Sequence, residues 1–199
     1  MIRKLLILFL MGILLIGCGK SDNSTDQMSN TAENVAENIE ENTQDAQTDT
    51  EQPYVFTFSD AVLVNGEKMS SEIFADSKLT MVNVWATFCG PCINEMPDLG
   101  EIAAAYDKVD FQMIGIVSDA VEGDTDMLAE AQEIIEETGA DYPHLLLNEE
   151  LYVNLVGASD SVPTTYFFNQ KGELLGYLIG AREKEVWEEI IDGLLEELE

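Results

Sequence analysis

Cys89-Gly90-Pro91-Cys92 places two thiols two residues apart in the stretch VWATFCGPCINEMP, residues 84–97. Cysteines at that spacing can hold half of a metal site, close a structural disulfide, or cycle between dithiol and disulfide. A structural zinc site needs about four ligands. This chain offers three cysteines in all, Cys18, Cys89 and Cys92, and one histidine, His144. His144 follows Pro143 at the edge of an apolar run and reads as a packing residue at a strand edge. A static disulfide across so short a loop constrains little. The redox reading suits the position better. An apolar run ends just ahead of the pair and a helix opens on it. Cys89 then stands at or just before the helix N-terminus, where the dipole and unpaired amides favour a thiolate. Cys92 lies one turn inside. The outer sulfur can attack a substrate disulfide and the inner one can resolve the mixed disulfide. Pro91 suits the first helical turn, where its missing N–H is not needed.

The elements that must position this pair are legible. LTMVNVWA (79–86) is a nearly continuous apolar run, as expected of a central strand covered on both faces. The following helix carries Ile93, Met96, Leu99, Ile102, Ala103 and Tyr106 on one broad face, with Pro97 inside it as an expected kink. FQMIGIVS (111–118) reads as a second buried strand. Asp124 or Thr125 opens a helix to about Thr138, with Gly139 as its stop. HLLL reads as a short strand and EELYVNLV as a short helix. TTYFF (164–168) and ELLGYLIG (173–180) flank a hairpin turn at Asn169-Gln170-Lys171-Gly172. A last helix from about Glu183 carries Val186, Trp187, Ile190, Ile191, Leu194, Leu195 and Leu198 as its apolar stripe. Upstream, YVFTF and AVLV read as short strands, with Asn65-Gly66 as a turn. The sum is an α/β domain over 53–199, a mixed sheet flanked by helices.

The first 52 residues are of another kind. Arg3 and Lys4 precede an apolar run from Leu5 to Ile16, too short to span a bilayer but right for a signal peptide. It ends in Leu15-Ile16-Gly17-Cys18, which resembles a bacterial lipobox. That resemblance implies a signal peptide over 1–17, cleavage before Cys18 and lipidation of its thiol. It implies attachment to the membrane through that lipid, on the extracytoplasmic face, where disulfides persist. Residues 20–52 contain no aromatic residue and are crowded with Asn, Thr, Gln, Asp and Glu. Such a stretch reads as a disordered acidic tether from Cys18 to residue 52, with a coil reach of about 30 Å. Acidity extends to the whole chain: 39 acidic against 9 basic residues, a formal net charge of −30. Nucleic acid is excluded as a partner, and charge cannot be what holds the chain to an anionic membrane.

WATFCGPC resembles the active site of the thioredoxin superfamily. Together with the lipobox and SVPTTYFFNQKGEL, the VNVWATFCGPCINEMP stretch resembles the TlpA/ResA-like thiol–disulfide oxidoreductases over about residues 54–199. The resemblance implies a thioredoxin fold with an added N-terminal β-hairpin and a central insertion within 119–156. It makes Cys89 the attacking cysteine and Cys92 the resolving one, framed by Trp85, Phe88, Gly90 and Pro91. The residue before the first cysteine is more often Trp in this family than Phe. Pro163 matches the family's cis-proline beside the cysteines, whose backbone pairs with the substrate peptide. Asn83 stands where thioredoxins carry a buried aspartate, six residues before Cys89. Glu95 and Pro97 match a glutamate and proline common in this family. On a helix Glu95 lies one turn beyond Cys92, so its carboxylate can take that thiol's proton. The bland alternative is a solvated helix glutamate.

The function implied is an extracytoplasmic, lipid-anchored oxidoreductase that reduces disulfides in exported proteins, such as an apocytochrome c. Its electrons would come from a membrane thiol carrier of the CcdA/DsbD type. No cofactor beyond the dithiol and no metal is expected, and the chain is expected to be a monomer. Three rivals use the same fold: a disulfide-forming oxidase, a redoxin-type peroxidase and a non-catalytic binding lipoprotein.

Overall fold

The computed structural model describes residues 53–199; the signal segment, Cys18 and the acidic tether lie outside the described residues. A two-stranded hairpin comes first, β1 (Ala61–Val62) and β2 (Lys68–Met69), followed by a 3-10 turn at Ser71–Asp76. The main sheet and its helices follow in the order β3 (Leu79–Trp85), α1 (Gly90–Ala105), β4 (Phe111–Val121), α2 (Thr125–Thr138), β5 (His144–Leu147), α3 (Glu149–Asn154), β6 (Thr164–Asn169), β7 (Leu174–Ile179) and α4 (Lys184–Glu197). The five strands lie in the order β5-β4-β3-β6-β7. β3, β4 and β5 run parallel, and β6 and β7 are antiparallel to their neighbours. This is the thioredoxin fold, with a small extra N-terminal sheet.

β3 is central and every one of its residues is buried. Its side chains divide by the period of two: Leu79, Met81 and Trp85 enter one core cluster, and Val82 and Val84 enter the other. The parallel strands step in one direction across the sheet, β3 to β4 to β5. Successive right-handed crossovers in one direction leave both helices on the same face. Accordingly Leu99 and Ile102 of α1, Ala131 of α2, and Trp187 and Ile191 of α4 share one cluster. The flanking is therefore unequal. Phe56, Phe58, Phe74 and Phe168 cover the other face, with ring centroids 5.2–6.2 Å apart, joined by Leu151 of α3. Such aromatic pairs contribute roughly 0.5–1.5 kcal/mol each beyond their area.

Most expected elements are present. Asp124 caps α2, its side chain accepting from the Met127 N–H at 3.2 Å, and Gly139 ends that helix at φ 66°. α1 runs through Pro97 as one helix. The segment expected as the strand YVFTF is extended but makes only an isolated bridge, Val55 to Glu173. The Phe56 N–H donates to the Gly172 carbonyl at 2.8 Å and the Tyr54 carbonyl accepts the Leu174 N–H at 2.9 Å, while Phe56 and Phe58 are buried. Residues 119–156 supply the end of β4, α2, the edge strand β5 and α3.

His144 opens β5 and is buried. Its Nε2 bonds the Ala140 carbonyl at 3.0 Å, which fixes the proton there and leaves Nδ1 free to accept from the Trp85 indole N–H at 3.1 Å. It is a core bridge rather than an edge residue, and both ring nitrogens are engaged. Gly115 makes room for it: a Cβ there would lie 2.1 Å from His144 Nδ1. Burial holds the imidazole pKa down to about 4. The unfolded chain binds that proton near pH 6.5, so His144 adds nothing to the pH dependence above 6.5 and destabilises the fold as pH falls from there towards 4. Equilibrium unfolding in urea should show roughly 3 kcal/mol lost to this group across that window. His144→Gln should flatten that part of the profile. Glu95, whose buried carboxyl has a raised pKa, contributes with the opposite sign in both proteins and cancels in the difference.

Candidate functional site

The loop between β3 and α1 is pinned at the C-terminal ends of the parallel strands, where open α/β sheets commonly carry their sites. Ser118 Oγ donates to the Trp85 carbonyl at 2.9 Å. The Asp119 carboxylate accepts the Thr87 N–H at 3.1 and 3.0 Å and the Thr87 hydroxyl at 2.8 Å. The Cys89 N–H closes a turn onto the Ala86 carbonyl at 3.0 Å. Thus β4 holds both halves of the approach to the cysteines.

Cys89 is the N-cap of α1, with Pro91 in its first turn. Its sulfur accepts the Cys92 N–H at 3.3 Å. The two cysteines are joined as a disulfide, Cα atoms 5.3 Å apart. Cys92 is wholly buried and Cys89 nearly so, with an edge of accessible surface. An incoming thiolate can therefore reach only the outer sulfur, which assigns attack and resolution by access alone. The bond between Val162 and Pro163 is cis, as the resemblance implies.

Glu95 is no solvated glutamate: it is 4% exposed, on the same buried face of α1 as Cys92. Its Oε2 accepts the Arg182 backbone N–H at 3.2 Å and the Trp187 indole N–H at 3.4 Å. Oε1 accepts from Asn83 Nδ2 at 3.3 Å, and that amide also donates to Thr165 Oγ1 at 3.0 Å. Burial raises the Glu95 pKa, against the lowering effect of these donors and of the Arg182 charge. A carboxyl so placed can hold a proton at milder pH than a surface glutamate.

On the opposite face of the sheet, a cavity of about 240 Å³ opens beside Phe88 and the segment leading to Pro163. Val84, Phe88, Tyr152, Val156, Val162 and Tyr166 supply most of its apolar wall. Phe88 is 77% exposed, immediately before Cys89. An aromatic ring so exposed, next in sequence to Cys89, is suited to meet another protein.

A family model described as Redoxin matches residues 32–189. The chain belongs to the Redoxin family. It is similar to the thiol-disulfide oxidoreductase ResA of Oceanobacillus iheyensis, 28% identical over 106 residues, covering 53% of this chain and 52% of that one. It is also similar to the thioredoxin-like protein YneN of Bacillus subtilis, 28% identical over 130 residues, covering 65% and 72%. The crystal structure of a thioredoxin-family thiol:disulfide interchange protein from Chlorobium tepidum superposes with a TM-score of 0.63 at 25% identity, covering 73% of this chain and 99% of that one. The match spans about half the length of the ResA relative. These findings bear out the resemblance to TlpA/ResA-like thiol–disulfide oxidoreductases.

The structure brings together Cys89, Cys92, Glu95 and the framing residues Trp85, Gly90 and Pro91, with cis-Pro163 opening β6. The sequence reading missed Thr87, Asp119, Arg182 and the donor role of Trp187. Arg182 acts through its backbone, which leaves no mark in a sequence. Trp187 was readable, since a buried indole N–H needs an acceptor. So was Asp119, at the end of a buried parallel strand. Asp119→Ala strands the Thr87 donors and should lower stability by about 1–2 kcal/mol, with Asp119→Asn recovering more than half. Denaturant midpoints of the oxidised proteins check this.

Proposed function

We propose that this chain is a membrane-tethered thiol–disulfide oxidoreductase that reduces disulfides in exported proteins through Cys89 and Cys92. One observation carries the reading: an accessible sulfur caps a helix, bonded to a sealed sulfur that shares its helix face with a buried carboxylate. In the reduced protein the Cys89 thiolate attacks the substrate disulfide and one substrate thiolate leaves. Glu95 takes the proton of Cys92, whose thiolate attacks Cys89 and expels the second substrate thiolate. The substrate gains two electrons; its two thiolates take up one proton from Glu95, which returns that of Cys92, and one from solvent, which had received that of Cys89, and the protein is left as the disulfide. Pro163 presents its neighbouring backbone to the substrate strand, and the cavity beside Phe88 receives an apolar side chain near the substrate cysteine.

The reducing direction is taken by analogy from the Gly90-Pro91 insert, shared with thioredoxin, whose potential is about −270 mV against about −120 mV for a strong oxidase. Location outside the cytoplasmic membrane rests on the lipobox at Cys18 and the acidic tether. Among the described residues, no helix is long and apolar enough to cross a membrane. A CcdA/DsbD-type donor and a cytochrome c maturation-type substrate are what the resemblance implies for partners. The peroxidase reading lacks its Pro-x-x-x-Thr-x-x-Cys setting: Val82 and Ala86 occupy those places.

Reduction of insulin disulfides tests the core claim. Cys89→Ser should fall to the uncatalysed rate, and Cys92→Ser should accumulate a mixed disulfide with the substrate. A potential near that of the strong oxidases would overturn the reducing direction. Phe88→Ala together with Tyr152→Ala should raise KM for a protein disulfide severalfold, while the rate with a small-molecule disulfide stays unchanged.

A further inference from the structure

Among the described residues, two buried side-chain polar atoms have no hydrogen-bond partner: Asn83 Oδ1 and the Tyr142 hydroxyl. Both belong with Glu95. The Glu95 charge, after burial, raises the Tyr142 hydroxyl pKa, and Asn83 bonds the carboxylate directly. A buried amide oxygen without a donor costs about 1–3 kcal/mol, so packing alone does not explain the choice of asparagine.

The two ends of the Asn83 amide differ in what they can face. Nδ2 now turns its two N–H groups on two acceptors, Glu95 Oε1 and Thr165 Oγ1. A half-turn about Cβ–Cγ would put Oδ1, with its two lone pairs, in the same place. The observed orientation suits a carboxylate. The turned one suits a carboxylic acid, with the Thr165 hydroxyl reversing from acceptor to donor. On the other oxygen, Oε2, the partners are N–H groups of Arg182 and Trp187, which donate and cannot accept. A proton arriving on Glu95 must therefore sit on Oε1, facing the one neighbour whose role can reverse.

We propose that Asn83 is a positioning residue that follows the protonation of Glu95, donating to the carboxylate and accepting from the acid after its amide turns. Glu95 can then take up and return the Cys92 proton in a sealed core while Oε1 stays hydrogen-bonded throughout. The idea deepens the reading of Glu95 as proton acceptor given above. The other groups facing Glu95 keep their charge through the cycle. Arg182, whose guanidinium donates to the Gly180 and Ala181 carbonyls, stays cationic. Tyr142 stays neutral, its hydroxyl pKa pushed up by burial and by Glu95. Trp187 and Thr165 carry no charge, and Cys92 is the proton's source.

NMR of the full-length oxidised protein, labelled with 15N-asparagine and 13C-glutamate, tests the proposal with Cys92 locked in its disulfide. The Asn83 side-chain amide signals should shift with pH at the same midpoint as the Glu95 carboxyl carbon, and Glu95→Gln should abolish the shift. Asn83→Ala should move the Glu95 midpoint by less than about half a unit, since both protonation states lose one bond; an amide that only donates would let it rise by about one unit or more. An amide signal that stays still through the Glu95 titration, or the larger rise in Asn83→Ala, overturns the proposal. The parent reading has its own arm: the rate at which the Cys89 mixed disulfide resolves, followed against pH. If Glu95→Gln leaves that rate and profile unaltered while Asn83 still tracks Glu95, proton transfer from Cys92 to Glu95 is lost and the coupled turn is supported.

Discussion

The structure depends on holding one cysteine at the point where a buried parallel strand gives way to a helix. β3 must end, the chain must reverse, and α1 must start with its first amides aimed at a sulfur. A loop left to itself would sample many such paths, and ordering each residue costs about 1–2 kcal/mol. The cost is met from the neighbouring strand. β4 runs past the end of β3 far enough for Ser118 and Asp119 to take hold of Trp85 and Thr87. Length and direction of β4 matter for that reason: an antiparallel neighbour would bring its N-terminal end to this loop.

Beneath the cysteines the core carries two polar networks on the face that α1 covers. One is the bridge from Trp85 through His144 to the Ala140 carbonyl, a neutral chain with each donor matched to an acceptor. The other is the Glu95 carboxylate with its Asn83, Arg182 and Trp187 donors. The first is satisfied and rigid, and it ties the edge strand β5 to the central β3. The second leaves an amide oxygen unpaired. Buried networks with a missing partner are costly, and this one shares its helix face with Cys92. Under the proposed mechanism the satisfied bridge holds the motif and the one with an unpaired acceptor handles the Cys92 proton.

Much of this was legible in the residues, for identifiable reasons. Nearly continuous apolar runs marked β3 and β4, because strands covered on both faces admit few polar residues and only where these find partners. Asp124 and Gly139 marked the ends of α2 because caps are local chemistry. The cysteine spacing carried its own geometry once the helix start was placed. What could not be read is long-range: Arg182 meets Glu95 across 87 residues through a backbone N–H, and no residue type announces that. His144 read as a packing residue at a strand edge because it follows Pro143 at the start of an apolar run; it does open β5 and it does pack, with its ring turned inward to a glycine on β4. YVFTF looked like a strand from its alternation; it pairs with the β6–β7 hairpin through Tyr54 and Phe56 over too short a stretch to form a regular strand, and its buried phenylalanines complete the anchorage.

The distribution of charge bears on the same sulfur. Among 39 acidic residues, chance alone would put acids in the first turn of most helices, and α2, α3 and α4 each have at least one there: Asp126, Glu149 with Glu150, and Glu185. At those helices the acid complements the dipole and stabilises the end. The first turn of α1 has none. Its amides are left to the Cys89 sulfur, and a carboxylate there would compete for the same dipole and repel a thiolate at short range. Among the described residues the buried acid on this helix, Glu95, stands a turn further in, on the buried face that also carries Cys92. In so acidic a chain the helix mouth is clear of acids, and among the described residues the buried carboxylate of Glu95 is set deeper, an arrangement that favours a thiolate at the outer sulfur over one at the inner.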